Sequence, residues 1–485
     1  MPMKVLSVAS EAVPLVKTGG LADVAGALPG AVAQHGVAMT TLLPGYPSVL
    51  KALPRARTVH SWDSLLGTSA RLLSGKLGEH PLLVLDAPAL YDREGSPYSD
   101  AAGRDWDDNW RRFAALGRAA ADIAGGAIVK RGKPQGFDLV HAHDWQAAMA
   151  PAYLHFAPLG TEAVPSVVTI HNMAFQGWFD RKAFAQMGLP ASAWTMHGVE
   201  YHDGVGMLKA GLACAAAVTT VSPTYAREIR TGTFGMGLEG LIIARGNAVS
   251  GILNGIDIDR WNPGRDKALA ETYTWRTLER RLANKRALEA EFGLDEDDGP
   301  LFIAVTRLTW QKGMDVIPQV LDHLVGLGGR LALLGSGDPE IERALFEGAA
   351  RHQGRVAIRL GYDEDLSHRM QGGGDAILVP SRFEPCGLTQ LYGLAYGCIP
   401  VVSRTGGLAD TVIDANPAAL AAGCATGIQH DGVSHDALSA ALTRAAQLYR
   451  QGEVWHRVQK NAMKCDFSWT ASGKAYADLY RSLIA

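Results

Sequence analysis

The sequence predicts an α/β fold of two doubly wound, Rossmann-like domains facing across a cleft. Short Val/Ile/Leu-rich runs recur along the 485 residues and alternate with segments of helical spacing, the pattern of repeated βαβ units. Most runs do not alternate apolar with polar, so both faces of each strand should be covered, as in parallel sheets. At about 200 to 250 residues per domain, the length gives two domains.

The candidate strands are residues 5–9, 40–43, 82–85, 139–142, 166–170, 218–221, 302–305, 331–334, 356–360, 376–379 and 400–403. A stretch rich in Gly, Asn and Asp at 250–264 marks the boundary, and a long helix is expected over 275–292. The expected division is 1–249 and 250–465, with an amphipathic helix over 469–484 at the end.

Composition excludes several classes. Apolar residues make up 47% of the chain, and a net charge of −3 comes from well-mixed acids and bases. No basic run suits nucleic acid or an anionic membrane surface, and no apolar run reaches membrane-spanning length. The opening residues read as a first strand rather than a signal peptide. Cys214, Cys386, Cys398, Cys424 and Cys465 are odd in number and scattered, without C-x-x-C. That pattern predicts free thiols in a reducing compartment, the cytoplasm by default.

The chain is organised around residues 381–407. An apolar run, 376–379, leads into a turn carrying Glu384, then a helix and the next strand. Glu384 and the amides of Cys386, Gly387, Leu388 and Thr389 therefore stand at the carboxyl end of a strand and the start of a helix, where open α/β sheets bind ligands.

Other strand ends carry further candidates. In Lys17-Thr-Gly-Gly-Leu-Ala-Asp-Val24, Gly19 and Gly20 let a phosphate or sugar approach a helix start beside a mobile cation; an ordinary strand–helix turn has the same look. In Thr306-Arg-Leu-Thr-Trp-Gln-Lys-Gly313, Arg307 and Lys312 are spaced to face one diphosphate, or else to be solvated charges. His143, Asp144, His171 and Asn172 should gather at the ligand edge of the first domain, for a metal ion or for sugar hydroxyls. Gly335-Ser-Gly-Asp-Pro-Glu340 departs from the dinucleotide fingerprint at Glu340, which counts against a nicotinamide oxidoreductase. Thr405-Gly-Gly-Leu-Ala-Asp410 echoes residues 18–23, as two related halves with phosphate- or sugar-facing turns would.

Together these motifs resemble those of bacterial glycogen synthases and plant starch synthases. Leu208-Lys-Ala-Gly-Leu212, Thr220-Val-Ser-Pro-Thr-Tyr225 and Ile252-Leu-Asn-Gly-Ile-Asp257 extend the resemblance over nearly the whole chain. It implies the GT-B fold, with the last helix, 466–485, crossing back to the first domain. It also implies retaining transfer of glucose from ADP-glucose to the non-reducing end of an α-1,4-glucan, with no cofactor and no metal. The first domain would then serve the acceptor and part of the donor, the second the nucleotide sugar.

By the same resemblance, Lys17, Gly19 and Gly20 face the donor diphosphate and glucose. Arg307 and Lys312 hold the diphosphate, and Glu384 contacts the donor glucose. The amides of Cys386 and Gly387 meet its hydroxyls, and those of Leu388 and Thr389 meet phosphate. His171 and Asn254 sit near the primary hydroxyl, Tyr362 near adenine, and Asp23, Tyr98 and Asp144 near the glucose or the acceptor. Two positions depart from expectation. Tyr392 stands where many enzymes of this fold carry a second Glu, and residues 200–207 differ from the Gly-Gln-Ile/Val-Ser-Phe pattern on the acceptor side. The rivals are a UDP-glucose-dependent sister enzyme and a non-catalytic glucan-binding protein.

Overall fold

The computed structural model describes residues 2–160 and 163–484. The chain forms two compact units, residues 1–255 with 469–485, and residues 256–468.

The first unit is built on a nine-stranded sheet. Its strands are β1 (Met3–Val8), β2 (Val37–Pro44), β3 (Arg57–Leu65), β4 (Thr68–Leu77), β5 (His80–Asp86), β6 (Leu139–His143), β7 (Ser166–Ile170), β8 (Ala217–Thr220) and β9 (Val249–Gly251). They lie in the order β9-β8-β7-β6-β1-β2-β5-β4-β3. Pairings from β9 to β5 are parallel, with Val5 opposite Met39 on one side and Leu139 on the other. The strand order reverses at β1 and β6, which opens a crevice at their carboxyl ends.

The edge hairpin β3–β4 is antiparallel and was not among the expected strands. Its two-residue turn, Leu66-Gly67, has φ of 50° and 82°, the primed turn that matches strand twist. Much of β3 is exposed, so it lacks the apolar run that marks a buried strand. The expected cut after residue 249 falls inside β9, and the units divide after Gly255 instead.

Strand alternation assigns residues to two cores. Val5, Val37, Met39, Leu139 and Val167 face one side, covered by Leu28 and Val32 of the helix Gly20–Ala33 and by Tyr476, Ala477 and Tyr480 of the closing helix Trp469–Ile484. Leu6, Val8, Val140, Val168 and Ile170 face the other side, with Phe113 and Leu116 of the helix Asn109–Ala124. The two covering helices touch at Gly473, where a Cβ would lie 2.6 Å from the Ala31 carbonyl oxygen.

The second unit holds six parallel strands. These are β10 (Leu301–Val305), β11 (Arg330–Gly335), β12 (Val356–Leu360), β13 (Ala376–Val379), β14 (Ile399–Ser403) and β15 (Ile428–His430), in the order β12-β11-β10-β13-β14-β15. The order reverses at β10 and β13. Phe302, Leu331, Leu378 and Val401 pack on one face, and Ile303, Leu334, Ile377 and Val402 on the other. The helix expected over 275–292 is shorter: it runs Arg281–Phe292, after one 3-10 turn at Leu278–Arg280. The Thr274 amide donates to Thr277 Oγ1 (3.0 Å), and such local side-chain bonds compete with helix formation.

All five cysteines are free. Among the described residues no helix is long and apolar enough to cross a membrane.

Candidate active site

In the first unit the β1/β6 crevice is lined from the carboxyl ends of β1, β6 and β7. Just past β1, Glu11 is 2% exposed. It accepts the Thr18 hydroxyl at 2.6 Å, and also the Thr18 amide and the Tyr98 hydroxyl. Tyr98 further shares a 2.8 Å hydrogen bond with Ser10 Oγ. The Tyr98 hydroxyl thus bonds inside the protein, and Glu11, which sequence reasoning passed over, anchors the loop that carries Lys17. Its position at the end of the first strand was the available signal.

Lys17 Nζ pairs with Asp23 at 2.9 Å, with both side chains partly exposed. Gly19 is extended (φ −157°), and Gly20 starts the helix Gly20–Ala33. A Cβ on either glycine would meet nothing within 4 Å. Neither the fold of Gly19 nor packing at either position calls for glycine.

The histidines divide by role. His141 is fully buried, with Nδ1 on the Tyr480 hydroxyl (2.7 Å) and Nε2 on Thr169 Oγ1 (2.6 Å). It ties the closing helix to the sheet. His143 meets Ser7 Oγ (3.2 Å) and His171 Nε2 (3.0 Å). Asp144 has a φ of 55°, and its Oδ1 accepts the His171 amide at 2.6 Å. Burial pushes the Asp144 carboxyl up to about 7, against lowering by the His171 and Asn172 amides. Burial drives His143 down to about 3, and His171 well below its ordinary value. Both rings are neutral at pH 7.

The ring nitrogens face each other, and no group of three or more His, Cys, Asp or Glu among the described residues is placed to hold a metal ion. Asn254 is 6% exposed, and its buried Oδ1 has no hydrogen-bond partner.

In the second unit the β10/β13 crevice is lined by loops 306–315 and 380–388. Lys312 Nζ contacts Glu384 Oε2 at 2.5 Å, and Ser381 Oγ donates to the same oxygen at 2.9 Å. Both charged side chains are largely buried, so their attraction is weakly screened. Arg307 is exposed, and no carboxylate of the described residues pairs with it. Cys386 is buried, Gly387 has a φ of 74°, and Leu388 caps the helix Thr389–Tyr396. Tyr362 is 74% exposed, with its hydroxyl 3.2 Å from Glu364. Tyr392 lies flat on Trp261 at 3.6 Å, a packing role in place of a second carboxylate.

The echo of the first glycine motif has a different use. Gly406 has a φ of 43°, and a Cβ there would lie 2.0 Å from the Glu384 carbonyl oxygen; on Gly407 it would lie 2.1 Å from that of Cys386. The Gly407 amide donates to the Glu384 carbonyl (3.0 Å). These glycines seat the Glu384 loop, whereas no protein atom packs where a Cβ on Gly19 or Gly20 would lie.

The starch synthase catalytic domain family matches residues 4–244, and the glycosyl transferases group 1 family matches residues 285–464. A glycogen synthase of Novosphingobium aromaticivorans is 69% identical over 486 residues, covering 100% of this chain and 99% of that protein. Glycogen synthase 1 of Rhizobium meliloti is 53% identical over 483 residues, covering 100% of both. The catalytic domain of starch synthase IV from Arabidopsis thaliana, solved with ADP and acarbose, is similar at a TM-score of 0.87 and 32% identity, covering 100% of both chains. A sucrose-phosphate synthase from Thermosynechococcus elongatus shares the fold at a TM-score of 0.58 and 17% identity, covering 99% of both.

Proposed function

The chain belongs to the glycogen synthase family of retaining glucosyltransferases, with two Rossmann-like units of the GT-B type, and from that premise we propose a role for each unit's crevice. The protein elongates an α-1,4-glucan with glucose from ADP-glucose, without a metal ion, in the cytoplasm. The observation that carries this reading is the pairing of Lys312 with Glu384 where the second sheet reverses its strand order, with Arg307 on the same loop as Lys312 and unpaired with any carboxylate of the described residues.

Cleavage of the glucose–phosphate bond builds positive charge on the anomeric carbon and negative charge on departing ADP. Lys312, held by Glu384 before the reaction, and Arg307, whose charge is left for the ligand, stabilise that charge separation more than they stabilise the bound donor. Glu384, buried and oriented by Ser381, accepts hydrogen bonds from the donor sugar's hydroxyls. The amides of Cys386 to Thr389 serve hydroxyl and phosphate oxygens, and the exposed Tyr362 ring serves the adenine. Lys17 and the uncovered backbone at Gly19 and Gly20 take the diphosphate and glucose. Asn254, with its unsatisfied carbonyl, and the neutral His171 serve the primary hydroxyl. Asp23, Tyr98 and Asp144 stand on the acceptor side, Tyr98 through its ring because its hydroxyl is engaged. The acceptor 4-hydroxyl attacks the anomeric carbon from the face ADP leaves, and its proton passes to a departing phosphate oxygen.

Lys312→Ala and Arg307→Ala should each lower turnover by about two to three powers of ten while the fold survives. Wild-type rates in both would refute the clamp. The reaction itself is tested by glucose incorporation into glycogen from ADP-glucose and UDP-glucose, side by side, with and without a chelator. Chelator-resistant transfer from ADP-glucose is expected. Preference for UDP-glucose would move the protein to a sister specificity, and transfer from neither would leave a binding role.

A further inference from the structure

Lys312 and Glu384 are brought together by two loops that follow different strands, β10 and β13. Beside their own ion pair, a second set of contacts joins the two loops. Arg382 donates from Nη1 to Asp315 Oδ1 (2.6 Å) and from Nη2 to Asp315 Oδ2 (2.8 Å), a fork across the loop-to-loop gap. Nη1 also reaches the Trp310 carbonyl (2.6 Å), and the Arg382 amide donates to the Gln311 carbonyl (2.8 Å). The guanidinium carbon lies 4.4 Å from the centre of the Trp310 ring. Gln311 Nε2 bonds the Phe383 carbonyl (3.3 Å). At Gly313 a Cβ would lie 2.0 Å from the Pro380 carbonyl oxygen, so the two backbones are in direct contact. Every one of these contacts falls within two positions of Lys312 or Glu384, or on the residues that flank those loops.

We propose that Arg382, with Asp315 and Trp310, is a positioning clamp that sets the distance and angle between Lys312 and Glu384. It touches no substrate; it fixes the loop register in which the Lys312 ammonium meets the departing diphosphate. The planar fork is suited to this, because two parallel hydrogen bonds define an orientation that one ammonium contact does not. The partly buried pair, at 20% and 31% side-chain exposure, is also screened less than a surface ion pair. This proposal rests on the reading of Lys312 as a donor-phosphate cation.

The test is a double-mutant cycle on ADP-glucose-dependent transfer by the full chain, with thermal midpoints measured alongside. Arg382→Ala should lower kcat about tenfold to a hundredfold, the size of effect that misplacing a catalytic group produces, with KM for glucan near wild type. Arg382→Lys keeps the charge and loses the fork, so it should resemble the alanine variant rather than the parent. In a Lys312→Ala background, Arg382→Ala should cost less than about twofold more, because a group acting through Lys312 has nothing left to position. An equal fall in both backgrounds would overturn the clamp, as would parental turnover in Arg382→Ala. Parental turnover in Lys312→Ala would instead overturn the reading beneath it. Should Arg382→Ala fail to fold, Asp315→Asn breaks the fork at constant shape and carries the same cycle.

Discussion

Asp144 and His143 respond to the same burial with opposite signs. The Asp144 carboxyl, raised from 3.8 to about 7, stays protonated in the folded protein across a window where the unfolded chain has released that proton. Stability therefore falls as pH rises from about 4 to about 7, by up to about 1.4 kcal/mol per pH unit. The His143 ring, lowered from 6.5 to about 3, is neutral in the folded protein where the unfolded chain is charged, so its contribution is lost as pH falls through that range. In acid the two slopes oppose; above 6.5 only the Asp144 slope remains. Asp144→Asn should gain thermal stability relative to the parent as pH goes from about 5 to about 7.5. A constant gap would show that the carboxyl does not titrate there. The glycines give a second residue-scale prediction. Gly406→Ala should cost about 1–3 kcal/mol through its clash with the Glu384 carbonyl. Gly19→Ala should leave the thermal midpoint unchanged and raise KM for the nucleotide sugar.

At the scale of elements, the closing helix is held by apolar packing and by polar contacts that include Tyr480 to His141, Ser472 to the Leu253 carbonyl and Arg481 to the His35 carbonyl. Tyr480→Phe keeps the ring and leaves His141 Nδ1 unpaired in the core, which should cost about 1–3 kcal/mol in denaturant unfolding. A loss below that range would mean the imidazole finds another partner. The sheet strands were legible in the sequence in proportion to their burial. Residues 302–305, 331–334 and 376–379 are covered on both faces and read as unbroken apolar runs. The β3–β4 hairpin has an exposed, polar face, and β9 and β15 are three residues each, too short to show a pattern. The site followed the same logic. Residues at strand ends were visible because the strands were. Glu11 and Arg382 were not, because their meaning lies in partners far along the chain: Tyr98 is 87 residues from Glu11, and Asp315 is 67 from Arg382. Residues 405–410 repeat the hexapeptide of 18–23 in a different packing: Gly19 and Gly20 stand open at a helix start, whereas Gly406 and Gly407 press against the Glu384 loop.

At the scale of the molecule, each unit has its own sheet with a core on both faces, so the units should be separable in one direction only. A fragment of residues 256–468 is expected to fold alone, with a cooperative loss of far-UV circular dichroism on heating. A fragment of residues 1–255 lacks the helix that covers Val5, Leu28, Val37 and Leu139, and should aggregate unless residues 469–485 are fused to its end. Cooperative unfolding of the bare 1–255 fragment would contradict this. The chain leaves the first unit after Gly255 and re-enters it at Trp469, with the two crossings side by side: the Ile256 amide donates to the Phe467 carbonyl at 2.8 Å. This has a consequence for biosynthesis. Domains usually mature in the order in which they leave the ribosome. Here the half made first has to wait, with one apolar flank bare, until the final helix is translated, while the half made second can finish before it. A nascent chain stalled anywhere from residue 256 to 468 is therefore a natural client for a chaperone that recognises the flank later sealed by Tyr476 and Tyr480.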